Sequence, residues 1–147
     1  MRWLDLPPVW LLAFLVLAWT QSTYLPLVAF GAWADWLGWT LVLAAVALMA
    51  AAVAGFARHR TTVMPRGHPT AVIRTGVYRV SRNPIYLADA LALAGFSLVW
   101  SSLLGLALVP VFVLIIERRF IRGEEARLRD TFGEVYHDYC EKTRRWI

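Results

Sequence analysis

The amino-acid sequence predicts an all-α integral membrane protein. About four transmembrane helices are expected, the last two a short helical hairpin, with an amphipathic cytoplasmic helix at the C-terminus. Two observations carry this expectation. The first is composition: the 147 residues are 59% hydrophobic and only 17% charged, with a mean hydropathy of +0.54. A soluble domain of this size could not hide that much apolar surface. The second is where the charges fall. All 15 Lys and Arg lie at Arg2, between Arg58 and Arg82, or from Arg118 onward. With four spans, these three places share one side of the membrane. Asp35, flanked by Trp33, Trp36 and Trp39, falls on the other side, as does Trp100. The positive-inside rule then places both termini and the 57–84 loop in the cytoplasm of a multi-pass inner-membrane protein.

The first span is predicted over roughly Val9 to Phe30. Thr20-Gln21-Ser22-Thr23-Tyr24 interrupts it, and Pro26 is expected to kink it. Polar positions of this kind face a neighbouring helix, because lipid leaves their hydrogen bonds unmade. Arg2 before an apolar run resembles a signal peptide. Pro7 and Pro8 precede the run, however, and no small-x-small cleavage site follows, so it reads as a retained span. The second span, Leu37 to Phe56, is rich in alanine and suited to close packing. The third is predicted from Ile85 to Trp100 and the fourth from Leu103 to Ile116, with Ser101-Ser102 as the turn. Both are short against the roughly 20 residues of a full span. The tail from Glu117 to Arg145 reads as one or two helices. Leu128, Phe132, Val135, Tyr136 and Tyr139 form an apolar stripe at three- and four-residue spacing. Gly123 and Gly133 are its expected bends. Such a tail either lies on lipid or walls a site.

The net charge of +5 is explained by topology and anionic headgroups, so no nucleic-acid partner is expected. Cys140 is the single cysteine and excludes an internal disulfide. His59, His68 and His137 are scattered without cysteine partners, so no metal site is expected. No hydrolase elbow, P-loop or Rossmann glycine pattern is present.

Two polar blocks remain as candidates for chemistry. The stretch Arg74 to Tyr86 is a basic island with Arg66 just upstream. It contains Gly76, which permits close backbone approach to a ligand, and Pro84, which restricts Asn83 to an extended or turn conformation. Tyr78 and Tyr86 offer aromatic faces that stack a flat ring or attract a cation. The second block holds Glu124 and Glu125. Adjacent residues project about 100° apart on a helix, so they suit separate jobs: one accepting hydrogen bonds from a ligand, the other pairing with an arginine. A solvated face with a Glu125–Arg129 pair explains the same residues. Asp89 stands inside an apolar run one turn beyond Tyr86. Such a residue is either functional or paired with Arg82 or a tail arginine.

The residues Thr61-Thr62-Val63-Met64-Pro65, Thr75-Gly76-Val77-Tyr78-Arg79, Arg82-Asn83-Pro84-Ile85-Tyr86-Leu87 and Glu124-Glu125 with Leu128 occur in that order. Phe132-Gly133-Glu134-Val135-Tyr136 with Tyr139, and then Arg144-Arg145-Trp146, follow. In this order, over about residues 58 to 147, the chain resembles the prokaryotic branch of the isoprenylcysteine carboxyl methyltransferase and phospholipid methyltransferase superfamily. The resemblance implies one integral-membrane methyltransferase domain over 1–147: two N-terminal spans (1–56), a cytoplasmic loop (57–84), the hairpin (85–116) and C-terminal helices (117–147). It implies S-adenosylmethionine as cofactor and a lipid-like or hydrophobic small-molecule acceptor, with a carboxylate, an amine or a thiol each fitting. Carried over residue by residue, Gly76, Tyr78, Arg82, Asn83, Pro84 and Tyr86 line the cofactor pocket, and Glu124 and Glu125 hold the cofactor. Arg79, Arg82 or Arg119 orient an acceptor carboxylate or phosphate, and Asp89 or Glu125 an amine. Asn83 stands where the eukaryotic carboxyl methyltransferases carry His, so a mechanism that needs that histidine is not expected here. The competing reading is a non-catalytic membrane scaffold or lipid-binding subunit.

Overall fold

A computed structural model describes residues 6–59 and 72–147. The motif Thr61–Pro65, and with it Arg2, Arg66, Gly67 and His68, lie outside the described residues. Six helices account for most of the described chain, and no strand occurs among the described residues: α1 (Pro7–Tyr24), α2 (Ala32–His59), α3 (Pro84–Val99), α4 (Leu103–Ile116), α5 (Arg122–Phe132) and α6 (Glu134–Lys142). A 3₁₀ turn, Gly76–Arg79, precedes α3, and a π-helical turn, Glu117–Ile121, joins α4 to α5.

α1 begins on Pro7 and Pro8, where a missing N–H costs nothing. It ends at Tyr24, short of the predicted Phe30. Pro26 terminates the helix instead of kinking it, because a proline pushes the preceding residue out of the helical region. Leu25 accordingly has φ −136° and ψ 64°. α2 is longer than predicted at both ends and takes in Trp33, Trp36 and Trp39, all exposed. Its segment Ala32–Arg58, with a mean hydropathy of 2.3, is long and apolar enough to cross a membrane.

The hairpin matches its predicted bounds to within a residue. Ser102 caps α4 by accepting a hydrogen bond from the Gly105 N–H at 3.0 Å. Gln21 of α1 pins the turn from outside. Its Oε1 accepts from the Ser102 hydroxyl at 2.8 Å and the Leu104 N–H at 3.2 Å, while its Nε2 donates to the Leu25 carbonyl at 2.7 Å. Of the polar break predicted in the first span, Gln21 reaches a neighbouring helix and closes α1 against the far end of the hairpin, whereas the Thr20 and Ser22 hydroxyls donate to carbonyls of their own helix, Val16 at 2.7 Å and Trp19 at 2.9 Å.

α1 packs on α3 and α4, and α2 packs on α3. The core between α1, α3 and α4 centres on Phe14, Leu93, Phe112 and Ile116, with Phe14 and Phe112 edge to face at 5.4 Å. α2 meets α3 at Gly38 and Gly95, where the backbones touch. α4, the π turn and α5 follow one another without a break, and Gly123 produces no bend. The break comes at Gly133, whose φ of 50° and ψ of −122° only glycine adopts readily. It lets α6 fold back.

Candidate functional site

The loop before α3 builds one wall. Gly76, at φ 61°, opens the 3₁₀ turn. The turn carries Tyr78 inward against Ala52 and Ile73, with the Phe56 ring edge-on at 5.7 Å. Tyr78 is buried, and its hydroxyl has no hydrogen-bond partner among the described residues. Its carbonyl accepts from the Tyr139 hydroxyl at 2.6 Å. Burial pushes the phenols of Tyr78, Tyr136 and Tyr139 above their ordinary range, so all three stay protonated donors.

The C-terminal residues 143–146 run back along this loop as a strap. The Arg82 N–H donates to the Arg144 carbonyl at 3.0 Å. The Arg145 carbonyl accepts from Asn83 Nδ2 at 3.0 Å and from the Ser81 hydroxyl at 3.4 Å. The Thr143 hydroxyl donates to the Arg79 carbonyl at 3.4 Å. Asn83 thus uses its side chain to fasten the strap, and Pro84 starts α3. Asn83, which the resemblance places at the cofactor pocket, gives one amide N–H to this fastening.

Three carboxylates complete the site. Arg145 grips both oxygens of Glu125, Nε to Oε1 at 3.0 Å and Nη2 to Oε2 at 2.7 Å. Its Nη1 donates to Glu117 Oε1 at 3.0 Å. Arg82 Nη2 lies 3.2 Å from Glu125 Oε1. Glu124 turns the other way and accepts from the Tyr86 hydroxyl at 2.7 Å. The π turn explains this division. Eight residues separate Glu117 from Glu125, which in an unbroken α-helix leaves them about 80° apart. The wide turn absorbs roughly one residue, so the two acids return to one face and share Arg145. Glu124, about 100° away, is left for Tyr86.

The electrostatics follow. Hydrogen bonds from Trp146 and Arg122, with the nearby Arg145 charge, hold the Glu117 carboxyl below its ordinary range despite some burial. Burial pushes Glu124 above that range, only partly offset by the Tyr86 bond and the Arg127 charge. The Glu125 bond pushes Arg145 further up.

The predicted residues therefore separate into groups. Tyr78, Arg82, Tyr86, Glu124 and Glu125 come together, and Gly76 and Pro84 set the backbone that delivers them. Arg79 and Arg119 are exposed at the same end, Arg119 with its guanidinium 5.6 Å from the Trp10 ring. Asp89 is buried but pairs neither with Arg82, which faces Glu125, nor with a tail arginine; it has no hydrogen-bond or ion-pair partner among the described residues. Glu125 pairs with Arg145 and Arg82, not with Arg129. His137 sits with Glu134 and Asp138 on an exposed turn of α6. Glu117, Arg145 and Trp146 received no role from the sequence. Their one available signal was that a tail ending in Arg144-Arg145-Trp146 faces an acid at the start of the second polar block.

These elements define a helical, membrane-associated protein with a buried arginine–glutamate–tyrosine site at the end of a helical hairpin. Residues 33–135 match the family model described as phospholipid methyltransferase. The chain belongs to that family. It is also similar to an uncharacterized protein of Haemophilus influenzae, 38% identical over 63 residues, which is 43% of this chain and the whole of that protein. No solved structure matches.

Proposed function

We propose that this protein transfers a methyl group from S-adenosylmethionine to a hydrophobic, membrane-resident acceptor, at the cytoplasmic face of an inner membrane that it crosses about four times. The observation that carries the reading is the junction of the two polar blocks, Tyr86 to Glu124 at 2.7 Å and Arg82 to Glu125. It joins the membrane-facing hairpin to the polar tail, where a charged cytosolic cofactor and an apolar acceptor can meet. α3 and α4 have 16 and 14 residues and rise only about 24 and 21 Å. This suits a hairpin whose polar end sits within the interfacial layer, and the π turn and α5 carry α4 onward into the cytoplasm.

The residues present fit the cofactor. The Tyr78 hydroxyl and Arg82 Nε are buried donors without a partner among the described residues, and Glu124 keeps its second oxygen outside the Tyr86 bond. Tyr78 and Tyr86 supply aromatic walls for a flat or cationic group. Bound here, S-adenosylmethionine would supply a methyl already activated by its sulfonium. The chain contributes orientation and exclusion of water. Arg79 and Arg119 orient an anionic acceptor group, and Asp89 orients an amine where the acceptor carries one.

Titration calorimetry of the purified protein with S-adenosylhomocysteine should give saturable binding below about 1 mM. No heat at millimolar ligand overturns the reading in favour of a non-catalytic scaffold or lipid-binding subunit. Mass spectrometry of lipid extracts after incubation with labelled cofactor then identifies the acceptor class. The proposed topology has its own test. Alkaline phosphatase fused after Gly31 should be active in the periplasm, and fused after Ile147 inactive; the reverse pattern inverts the site's placement.

A further inference from the structure

We propose that Asp89 is the seat of the acceptor's reacting group, and that this group is an ammonium joined directly to its hydrocarbon, with no phosphate between them, lying along the flank of α3 that carries Ile85, Asp89, Ala92 and Phe96. The inference rests on the acceptor reading above and narrows it to one chemical class.

Asp89 stands apart from the other buried polar side chains. Ser102 donates to Gln21, and Ser97 donates to the Leu93 carbonyl. Ser81 and Thr143 are bonded across the strap, and Glu125 is held by Arg145 and Arg82. Asp89 is 6% exposed and has no hydrogen-bond or ion-pair partner among the described residues. Trp10 Nε1, the Tyr78 hydroxyl and Arg82 Nε are also buried without a partner there. Those three are N–H and O–H groups, whereas Asp89 is an acid that an ammonium would complete. An acid this far into a spanning helix is costly unless a counter-charge reaches it. Arg82, the nearest arginine in the chain, is committed to Glu125 at 3.2 Å.

Ile85, Asp89, Ala92 and Phe96 follow one another at three- and four-residue spacing, so they share one flank of α3. Two packed faces border it. Gly95 meets Gly38 of α2, and Tyr86, Ala90 and Leu93 join the core with α1 and α4. No residue of α3 is exposed, yet Ile85, Ala92 and Phe96 are only half-buried. The Phe96 ring closes the far end, 6.2 Å from Trp39 and 5.1 Å from Trp100. The flank is an apolar trough with an acid near its polar end, which suits a hydrocarbon chain with a cationic head.

Depth excludes a phosphate. Asp89 lies about 4.5 Å further along α3 than Tyr86, whose hydroxyl meets Glu124 at the polar end. In an aminophospholipid the phosphate stands between the amine and the chains. With the chains in the bilayer and the amine on Asp89, the phosphate falls deeper still, beside Ala92 and Phe96. α1, α3 and α4 contain no Lys or Arg, and α2 carries its only Arg, Arg58, in its last turn. Arg79, Arg82 and Arg119 all lie on the polar side of Asp89. A phosphate left unpaired among apolar side chains loses its hydration with nothing in return, and an acceptor carboxylate would face Asp89 as a like charge. An amine carried directly on hydrocarbon meets neither obstacle.

The test titrates the intact protein in maltoside micelles with probes of equal chain length, and native mass spectrometry reads the bound fraction. The probes are dodecylamine, dodecanoate and dodecanoyl lysophosphatidylethanolamine. Wild type should bind dodecylamine saturably and one to one, and hold the other two at least about 10-fold more weakly. Asp89→Asn should weaken dodecylamine about 10- to 100-fold and erase the preference. Ala92→Phe keeps the acid and fills the trough beside it, and should also weaken dodecylamine at least about 10-fold. Lysophosphatidylethanolamine bound as tightly as dodecylamine, or dodecanoate bound more tightly, overturns the acceptor class. Equal dodecylamine affinity in wild type and Asp89→Asn overturns the seat, and an unchanged affinity in Ala92→Phe overturns the flank. A parallel titration with S-adenosylhomocysteine separates this inference from the cofactor reading. Protein that binds dodecylamine through Asp89 but no S-adenosylhomocysteine loses methyl transfer and keeps the amine seat. Protein that binds S-adenosylhomocysteine without Asp89-dependent amine binding keeps methyl transfer and loses the seat.

Discussion

Gly95→Leu is expected to prevent folding of the membrane bundle. A Cβ at Gly95 would stand 2.7 Å from the Gly38 carbonyl oxygen, 2.8 Å from Val42 Cγ2 and 3.0 Å from the Val42 nitrogen. A Cβ at Gly38 would meet the Gly95 carbonyl at 2.7 Å in return. Neither neighbour is a flexible side-chain tip, so relief requires the two helices to separate. α2 contacts the other long helices chiefly through α3, and its buried residues Ala34, Val42, Ala45 and Ala52 lie along that one face. Separation there loosens the whole of α2 and removes the support behind Tyr78. Overpacking commonly costs about 1–3 kcal/mol. Gly95→Ala should fall near the top of that range, and Gly95→Leu, with three more carbons, should exceed the roughly 5 kcal/mol that marks the low end of native stability. Gly123→Ala is the control, since its Cβ would meet only Arg127 Nη1 at 3.8 Å and a helical alanine gains up to about 1 kcal/mol. Tryptophan-fluorescence melts in detergent read the difference. A Gly95→Leu protein melting within a few degrees of wild type would show that the crossing is looser than these distances require.

The elements that punctuation marks were legible in the sequence. Pro84 and the Ser101-Ser102 pair fix the hairpin because one begins a helix without needing its N–H and the other offers a capping hydroxyl. The end of α1 was misplaced because Leu25, Leu27 and Val28 prolong the apolar character past Tyr24, whereas the backbone answers to the steric restriction before Pro26. Gly123 and Gly133 look alike in the sequence. Only the second is placed where the chain must reverse and needs a positive φ. At the site, the glutamate pair was visible, but its partners were not. Tyr86 lies 38 residues from Glu124 and Arg145 lies 20 from Glu125, and no local periodicity encodes such contacts. The π turn that sorts Glu124 from Glu125 leaves no compositional mark in Glu117–Ile121. Asp89 shows the converse: its sequence left a functional role and a pairing with Arg82 or a tail arginine both open, and Arg82 pairs with the buried Glu125 instead.

Arg145→Leu is expected to cost about 3 kcal/mol of stability, near the low end for breaking a buried ion pair, because the Arg145 side chain is itself 33% exposed. The cost arises chiefly from what remains. Glu125 is left buried with Arg82 alone, and Glu117 loses one of its three donors. Glu125→Leu in the same protein should recover part of the loss, since it removes the stranded carboxylate but leaves Arg82, 13% exposed, without its partner. A double-mutant cycle between the two positions should therefore report a coupling of about 2 kcal/mol. The pH dependence supplies an independent sign. Glu117 is depressed in the folded protein, so its contribution is present above the ordinary carboxylate pKa and is lost as pH falls through its folded value. Glu124 is raised, so its ionisation costs stability as pH rises from the ordinary value to the folded one, which is the opposite slope. Arg145→Leu weakens the first effect and leaves the second. Its stability should therefore fall less on acidification below about pH 5 than that of the wild type. Parallel acid profiles for the two proteins would mean that Trp146 and Arg122 alone set the Glu117 charge, and that the strap holds the site through its backbone bonds and not through Arg145.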